Sequence, residues 1–379
     1  MFVTKEIKVD FLGKEKTTCS ILYLVGGLGT GGLERQLYYL LQAMDRKRYK
    51  PVVVVWHFLE NDTYVPWVRS LGIPIQFFPK TSSPIGKLIA FRRLVKDLGP
   101  QVIHSYSFYT NFAVWWAALG LDAISLGSIR QDFVTERRIT GRFLGPLSGC
   151  LPSTQIANSL AATQNAEQFF GFSKPSKIYT VRNGLDIDQF AFHPIPGGQP
   201  LLFSAGRFYP EKRWDRLLRC VACLAETGLN FSVHLAGEGP LRKKLESQAK
   251  ELGLDRVVQF LGLRQDIPAL LKKSTFLVHT ADAEGCPNIV MEAMACGRAV
   301  LSTDAGDVPY LVEDGKTGFV VQRGDDKKLA ERMMTLIQDH QLCQRMGEAG
   351  RAKAEQEFGL DRLVSETFSA YQASGWKDY

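Results

Sequence analysis

Short apolar, β-branched runs alternate with helix-like segments from one end of this chain to the other. That alternation points to parallel α/β architecture, because two adjacent parallel strands need a crossover segment, usually a helix, between them. The first half carries candidate strands at residues 21–25, 52–57, 75–78, 102–104, 124–127, 155–157 and 178–181. The second half carries them at 201–205, 232–236, 257–261, 275–280, 299–302 and 318–321. Seven plus six is too many for one doubly wound sheet of ordinary size, and 379 residues suit two domains. Hydrophobic periodicity lapses at residues 192–200, where Pro and Gly concentrate. The expected fold is therefore α/β, with two Rossmann-like domains whose parallel sheets face each other across a cleft. Their expected bounds are 1–195 and 196–359, with a C-terminal helix near 360–379 packing back on the first.

Charge is unevenly shared. Residues 1–195 hold 22 Lys and Arg against 14 Asp and Glu, whereas residues 196–379 hold 24 against 25. A basic half can face a phosphorylated acceptor, an anionic membrane surface or nucleic acid, or be an ordinary solvated surface. The seven cysteines are scattered, mostly in apolar contexts, as reduced thiols in a cytosolic protein usually are. Cys220 and Cys223 have CxxC spacing but lie within an amphipathic run, and no second pair accompanies them as metal binding would need. Residues 1–18 are charged and lack an apolar signal core, and the longest apolar stretch, 112–121, is too short to span a bilayer. A cytoplasmic protein, soluble or peripheral to the membrane, is expected.

The richest stretch for chemistry is residues 280–297. Pro287 and Asn288 begin a short helix that Gly297 ends, and between Ile289 and Cys296 only Glu292 is polar. Such a helix should be buried on nearly all sides, where a carboxylate is costly unless something donates hydrogen bonds to it. Glu284 lies eight residues earlier, in the loop after an apolar strand. Strand, loop and helix N-terminus together suit a ligand with both hydroxyls and an anionic group, as a sugar nucleotide has.

Other candidates fall at strand ends, where open parallel sheets bind ligands. The 201–205 strand runs into Arg207, with Lys212 at the next helix start; such a pair can stabilise a diphosphate leaving group. Alone it would read as two surface cations at a turn. The 21–25 strand ends in a glycine-rich run whose Gly27, Gly29 and Gly32 fit GxGxxG. The acid a dinucleotide site needs after the second strand is missing, because Val55, Trp56, His57 and Phe58 stand there. His104 closes another strand, a position open to a structural or a catalytic role. Asp186 and Asp188 have DxD spacing but follow a turn, and no further ligand cluster supports a metal. Arg130, Arg137, Arg138 and Arg142, interleaved with Phe133, Ile139 and Phe143, form either a basic, apolar surface for lipid headgroups or a plain exposed helix.

Together these residues resemble the retaining glycosyltransferase family 4, which has the GT-B fold. Glu284 to Glu292 looks like the family's E-x7-E signature, and the segment from Ala205 through Arg207 to Lys212 like its GR…EK segment. Gly31 to Glu34, Arg182 to Asp186, Leu235 to Pro240, Phe260 to Gly262 and Thr303 to Gly306 are similar to further landmarks, in the right order. The resemblance implies a nucleotide-diphosphate sugar donor, UDP- or GDP-linked, held mostly by the second domain. Glu292 would accept from the ribose hydroxyls, and Glu284 with the backbone of Gly285, Cys286, Pro287, Asn288 and Ile289 would contact the sugar. Arg207 and Lys212 would hold the diphosphate, approached from the first domain by Gly31 and Gly32. Gly237 and Leu261 would line the base pocket, and His104 would contact the transferred sugar. Retention by front-face attack is implied, without a metal or other cofactor. So is a glycan or lipid-linked acceptor; the basic first half adds attachment at the inner membrane face as an expectation, and no nucleic-acid partner is expected. Two departures bear on sugar selection. Tyr106 and Tyr109 stand where the family often has a second histidine, and Gly306, Asp307, Val308, Pro309 and Tyr310 replace its Gly-Gly-x-Pro-Glu.

A retaining glycosyltransferase of polysaccharide or glycolipid synthesis leads these readings. An NAD-dependent oxidoreductase built on the glycine turn, and a GT-B binding subunit without chemistry, are the alternatives.

Overall fold

The computed structural model describes residues 8–10, 20–171 and 173–378. Apart from 8–10, the N-terminal stretch read for a signal core lies outside the described residues. The chain forms two compact units: one runs up to Gly184 and takes in the segment from Leu360, the other comprises Leu185–Gly359.

Among the described residues the first unit holds eight strands: β1 Lys8–Asp10, β2 Ile21–Val25, β3 Pro51–Val55, β4 Ile75–Phe77, β5 Val102–Ser105, β6 Ile124–Ile129, β7 Thr154–Ala157 and β8 Lys177–Thr180. Their order is β1-β4-β3-β2-β5-β6-β7-β8, all parallel except β1, which pairs antiparallel with β4. β2 and β3 are buried along their whole length, as strands covered on both faces must be.

The second unit holds six: β9 Leu201–Ala205, β10 Ser232–Ala236, β11 Val258–Gly262, β12 Phe276–His279, β13 Ala299–Thr303 and β14 Gly318–Val321. They are parallel in the order β11-β10-β9-β12-β13-β14. Helix Trp214–Ala225 lays Trp214, Leu217, Leu218, Val221 and Leu224 on this sheet, the three- and four-residue spacing of one helical face. Helix Asp326–Gln338 adds Leu329, Met333, Leu336 and Ile337, and Asp325 caps it by accepting from the Lys328 N–H. Each such side chain contributes about 1.5–3 kcal/mol relative to exposure.

The chain passes between units at Gly184, upstream of the Pro/Gly-rich stretch at 192–200. Residues 185–195 pack with the second unit: Leu185 N donates to Phe358 O at 2.7 Å, Arg351 Nη1 to Phe190 O at 2.6 Å, and Arg298 Nη2 to His193 O at 2.7 Å. Helix Leu360–Ala373 belongs to the first unit. Its Tyr371 hydroxyl bonds His104 Nδ1 at 2.8 Å and Tyr23 Oη at 3.2 Å, and Trp376 Nε1 beyond it donates to Gln101 Oε1 at 2.9 Å. Among the described residues no helix is long and apolar enough to cross a membrane.

Candidate active site

Strand order in the second unit reverses between β9 and β12, and parallel sheets open a crevice outside their carboxyl ends at such a switch. The segments leaving those two strands carry Arg207, Lys212 and Glu284. After β9 the chain makes a single 3-10 turn at Pro210–Lys212, and Arg213 then takes a left-handed φ of 51° before helix Trp214–Ala225. That conformation costs about 1–2 kcal/mol outside glycine. Ion pairs of Arg213 with Asp215, at 3.1 Å, and with Asp282 hold it in place. Asp282 also takes Arg216 at 2.7 Å, and its N–H donates to Glu211 O at 2.8 Å. The loop after β12 is thereby stitched to the turn after β9.

Across that seam Lys212 Nζ and His279 Nε2 both bond Glu284 Oε1, the histidine at 2.9 Å. Burial alone would push the Glu284 carboxyl up. The Lys212 charge and the His279 hydrogen bond outweigh it and hold the group down at about 2. Glu284 is therefore an ionised acceptor at neutral pH. Its backbone is clamped as well: Asp307 N donates to Gly285 O at 2.9 Å, and a Cβ on Gly306, whose φ is +57°, would lie 2.3 Å from that oxygen.

Helix Asn288–Ala295 follows and Gly297, at φ +71°, ends it. Glu292 is 2% exposed among buried Val290, Met291, Ala293, Met294 and Ala295, so the expected burial of this carboxylate is met. Cys286 and Pro287 are buried; Asn288 and Ile289 are half-buried. Gly206, Gly237 and Gly262 follow or close the adjacent strands β9, β10 and β11. A Cβ on Gly237 would fall 1.9 Å from Gly206 O, so bare backbone, not side chains, shapes these ends. Leu261 is half-buried on β11. Arg207 is exposed, lies 5.1 Å from the Tyr209 ring centroid and forms no ion pair among the described residues.

In the first unit Gly31 caps helix Gly32–Ala43, and the Glu34 carboxylate folds over that helix start, 2.1 Å from where a Gly31 Cβ would sit. β3 ends at Val55 and is followed by Trp56 and His57, so the acid of a dinucleotide fingerprint is missing there. His104 is 1% exposed, with Nδ1 bonded to Tyr371 and Nε2 to Ser128 Oγ at 3.1 Å. Burial, then the Arg130 charge, pushes it well below the ordinary histidine range. A neutral ring with both nitrogens engaged inside the fold is not presented to a ligand, which does not fit the expected sugar contact. Arg130, at the adjoining strand end, lies 3.9 Å from the Tyr106 ring centroid.

Asp186 Oδ2 accepts from Gln189 Nε2 at 2.7 Å, and among the described residues no group of three or more His, Cys, Asp or Glu is arranged to hold a metal ion. Cys220 and Cys223 are free thiols, and burial raises Cys220 to about 12. The sequence alone assigned no role to His279, Thr280, Asp282 or Arg213. A histidine in an otherwise apolar buried strand was the one available signal.

Residues 186–353 match the family model "Glycosyl transferases group 1", and residues 30–189 match "Glycosyltransferase Family 4". The putative glycosyltransferase EpsF of Bacillus subtilis is 27% identical over 94% of each chain. An alpha-1,4-N-acetyl-D-galactosaminyltransferase of Campylobacter jejuni, named for a glycan on diNAcBac-PP-undecaprenol, is 24% identical over 91% of this chain and 96% of that one. To other relatives the similarity spans about half of each chain. HepE of Anabaena, solved in complex with UDP and glucose, has the same fold: TM-score 0.78 and 22% identity over 94% of this chain and 100% of that one.

Proposed function

Because this chain belongs to glycosyltransferase family 4, we propose that it moves a sugar, with retention, from a nucleotide-diphosphate donor to a glycan or lipid-linked acceptor. The observation that carries this reading is the convergence of Lys212, His279 and the ionised Glu284 at the β9–β12 switch. Lys212 and Arg207 neutralise the diphosphate as it leaves. Glu284 accepts from hydroxyls of the sugar, and the backbone of Gly285, Cys286, Pro287, Asn288 and Ile289 completes that contact. Glu292 accepts from the ribose, which would explain a carboxylate on a buried apolar helix. Gly237 and Leu261 border the base. In the first unit Gly31 and Gly32, at the start of helix Gly32–Ala43, are the candidates for a phosphate contact. The acceptor oxygen bonds to the anomeric carbon on the face from which the phosphate oxygen departs, and that oxygen takes the hydroxyl proton. The two cations supply the charge neutralisation without a metal in this scheme.

UDP is the first donor nucleotide to test, since HepE was solved with it; GDP is the second. Titration calorimetry with UDP, GDP and ADP should find one that binds, and Glu292→Ala should weaken it at least tenfold while the protein stays folded. The reading is lost if none binds, or if NAD raises the melting temperature and none of the three does.

We further propose attachment to the inner, anionic membrane face through the first unit. At the corner between helices Phe133–Thr140 and Leu144–Cys150, Ile139 is 69% and Phe143 83% exposed. Arg138 and Arg142 beside them form no ion pair among the described residues. Unpaired cations around bare apolar side chains suit anionic headgroups. Phosphatidylglycerol vesicles at low salt should sediment the protein and phosphatidylcholine vesicles should not; equal or no binding refutes attachment.

A further inference from the structure

His279 sits at the end of β12 behind Phe276, Leu277 and Val278, 5% exposed, where an apolar residue would be the ordinary choice. Its Nδ1 meets Ser302 Oγ at 2.9 Å, its cross-strand neighbour on β13. The Ser302 hydroxyl also reaches Thr303 O at 2.9 Å, so Ser302 holds the ring from the Nδ1 side. The ionised Glu284 carboxylate can only accept, at 2.9 Å from Nε2. The network therefore assigns a proton to Nε2, making it a fixed donor to Oε1 of Glu284.

Both protein donors to Glu284 fall on Oε1; Oε2 has no hydrogen-bond partner among the described residues, and the side chain remains 12% exposed. The two donors differ in freedom. Lys212 is 20% exposed on a flexible four-carbon stem and can turn towards an incoming phosphate. His279 is set in a central strand with both nitrogens engaged and cannot follow.

We propose that His279 is a positioning residue that governs recognition of the donor's sugar: it pins Oε1 of Glu284 so that Oε2 faces a sugar hydroxyl while Lys212 turns to the diphosphate. This rests on Glu284 being the sugar contact. Loss of His279 leaves the nucleotide grip intact and removes only the increment that the sugar adds. Ser302 supports the ring and shares the effect more weakly.

The test compares each free nucleoside diphosphate with its glucose, galactose and N-acetylglucosamine adducts, by calorimetry on the full chain. The tightest pair in the wild type is carried to His279→Phe, His279→Gln and Ser302→Ala, each checked for an unchanged thermal transition. His279→Phe should bind the diphosphate within twofold of wild type and its sugar adduct at least tenfold more weakly. His279→Gln, which keeps one donor for Oε1, should recover most of the loss, and Ser302→Ala, the gentler change if the phenylalanine variant does not fold, should show a smaller loss of the same kind. Equal weakening of diphosphate and adduct, or none, overturns the proposal, as does a wild type whose sugar adducts bind no tighter than the free diphosphate. Failure of the wild type to bind any diphosphate instead overturns the donor reading beneath it.

Discussion

Thr280 Oγ1 donates to the carbonyl oxygen of Lys212 at 3.0 Å, tying the end of one strand to the turn after its neighbour. The lysine that faces Glu284 is thus held by backbone as well as by charge. Thr280→Val should lower donor turnover about tenfold through misplacement of Lys212. Lys212→Met, which removes the cation itself, should cost at least about a hundredfold. Steady-state kcat/KM for both variants checks the order; equal effects would show that the threonine bond does not position the lysine.

Glu284 also leaves a signature in stability. Its carboxyl is held at about 2 in the fold against an ordinary value of 4.5, so its contribution is complete above pH 4.5 and is lost as pH falls towards 2. Across that window wild type should lose up to about 1.4 kcal/mol per pH unit more than Glu284→Gln does. Urea unfolding midpoints from pH 5 to 2.5 read the difference, and parallel slopes would remove Glu284 as the titrating group.

Two glycines separate steric demand from backbone strain. Gly228 has φ +78° and nothing lies within 4 Å of where a Cβ would sit, so Gly228→Ala should cost only about 1–2 kcal/mol. Gly237→Ala must also displace the Gly206 carbonyl, 1.9 Å from the new atom, and should cost at least about 2 kcal/mol more and weaken nucleotide binding. Thermal melts and the nucleotide titration decide it; equal costs would mean these strand ends yield easily.

Tyr371→Phe deletes the hydroxyl shared by His104 and Tyr23. It should destabilise the first unit by about 1–3 kcal/mol, because a buried partner is left unsatisfied. Nucleotide affinity should be unchanged, and a tenfold loss of affinity would return His104 to the binding machinery.

Most of the fold was legible in the residues, because buried parallel strands write themselves as near-continuous apolar runs. Ile21–Val25, Leu201–Ala205, Ser232–Ala236 and Gly318–Val321 lie where the pattern put them. Lys8–Asp10 escaped because three residues between charges carry no periodicity and pair only through β4. In the site, Glu292 could be picked out because a carboxylate in apolar surroundings needs a reason, and Lys212 and Glu284 because they follow strand ends, where parallel sheets bind ligands. Arg213 and Asp282 could not: their value lies in a pairing across 69 positions that only the folded loops create. For His104 the sequence left a structural and a catalytic role open, because a strand end reads the same whether it opens outwards or, as here, lies beneath Tyr371.

The return of helix Leu360–Ala373 to the first unit also bears on biosynthesis. Nearly half the polypeptide, Leu185–Gly359, must be translated while Tyr23 and His104 still lack Tyr371. The portion that leaves the ribosome first is therefore the last to be sealed, and the later portion, uninterrupted in sequence, is free to mature ahead of it.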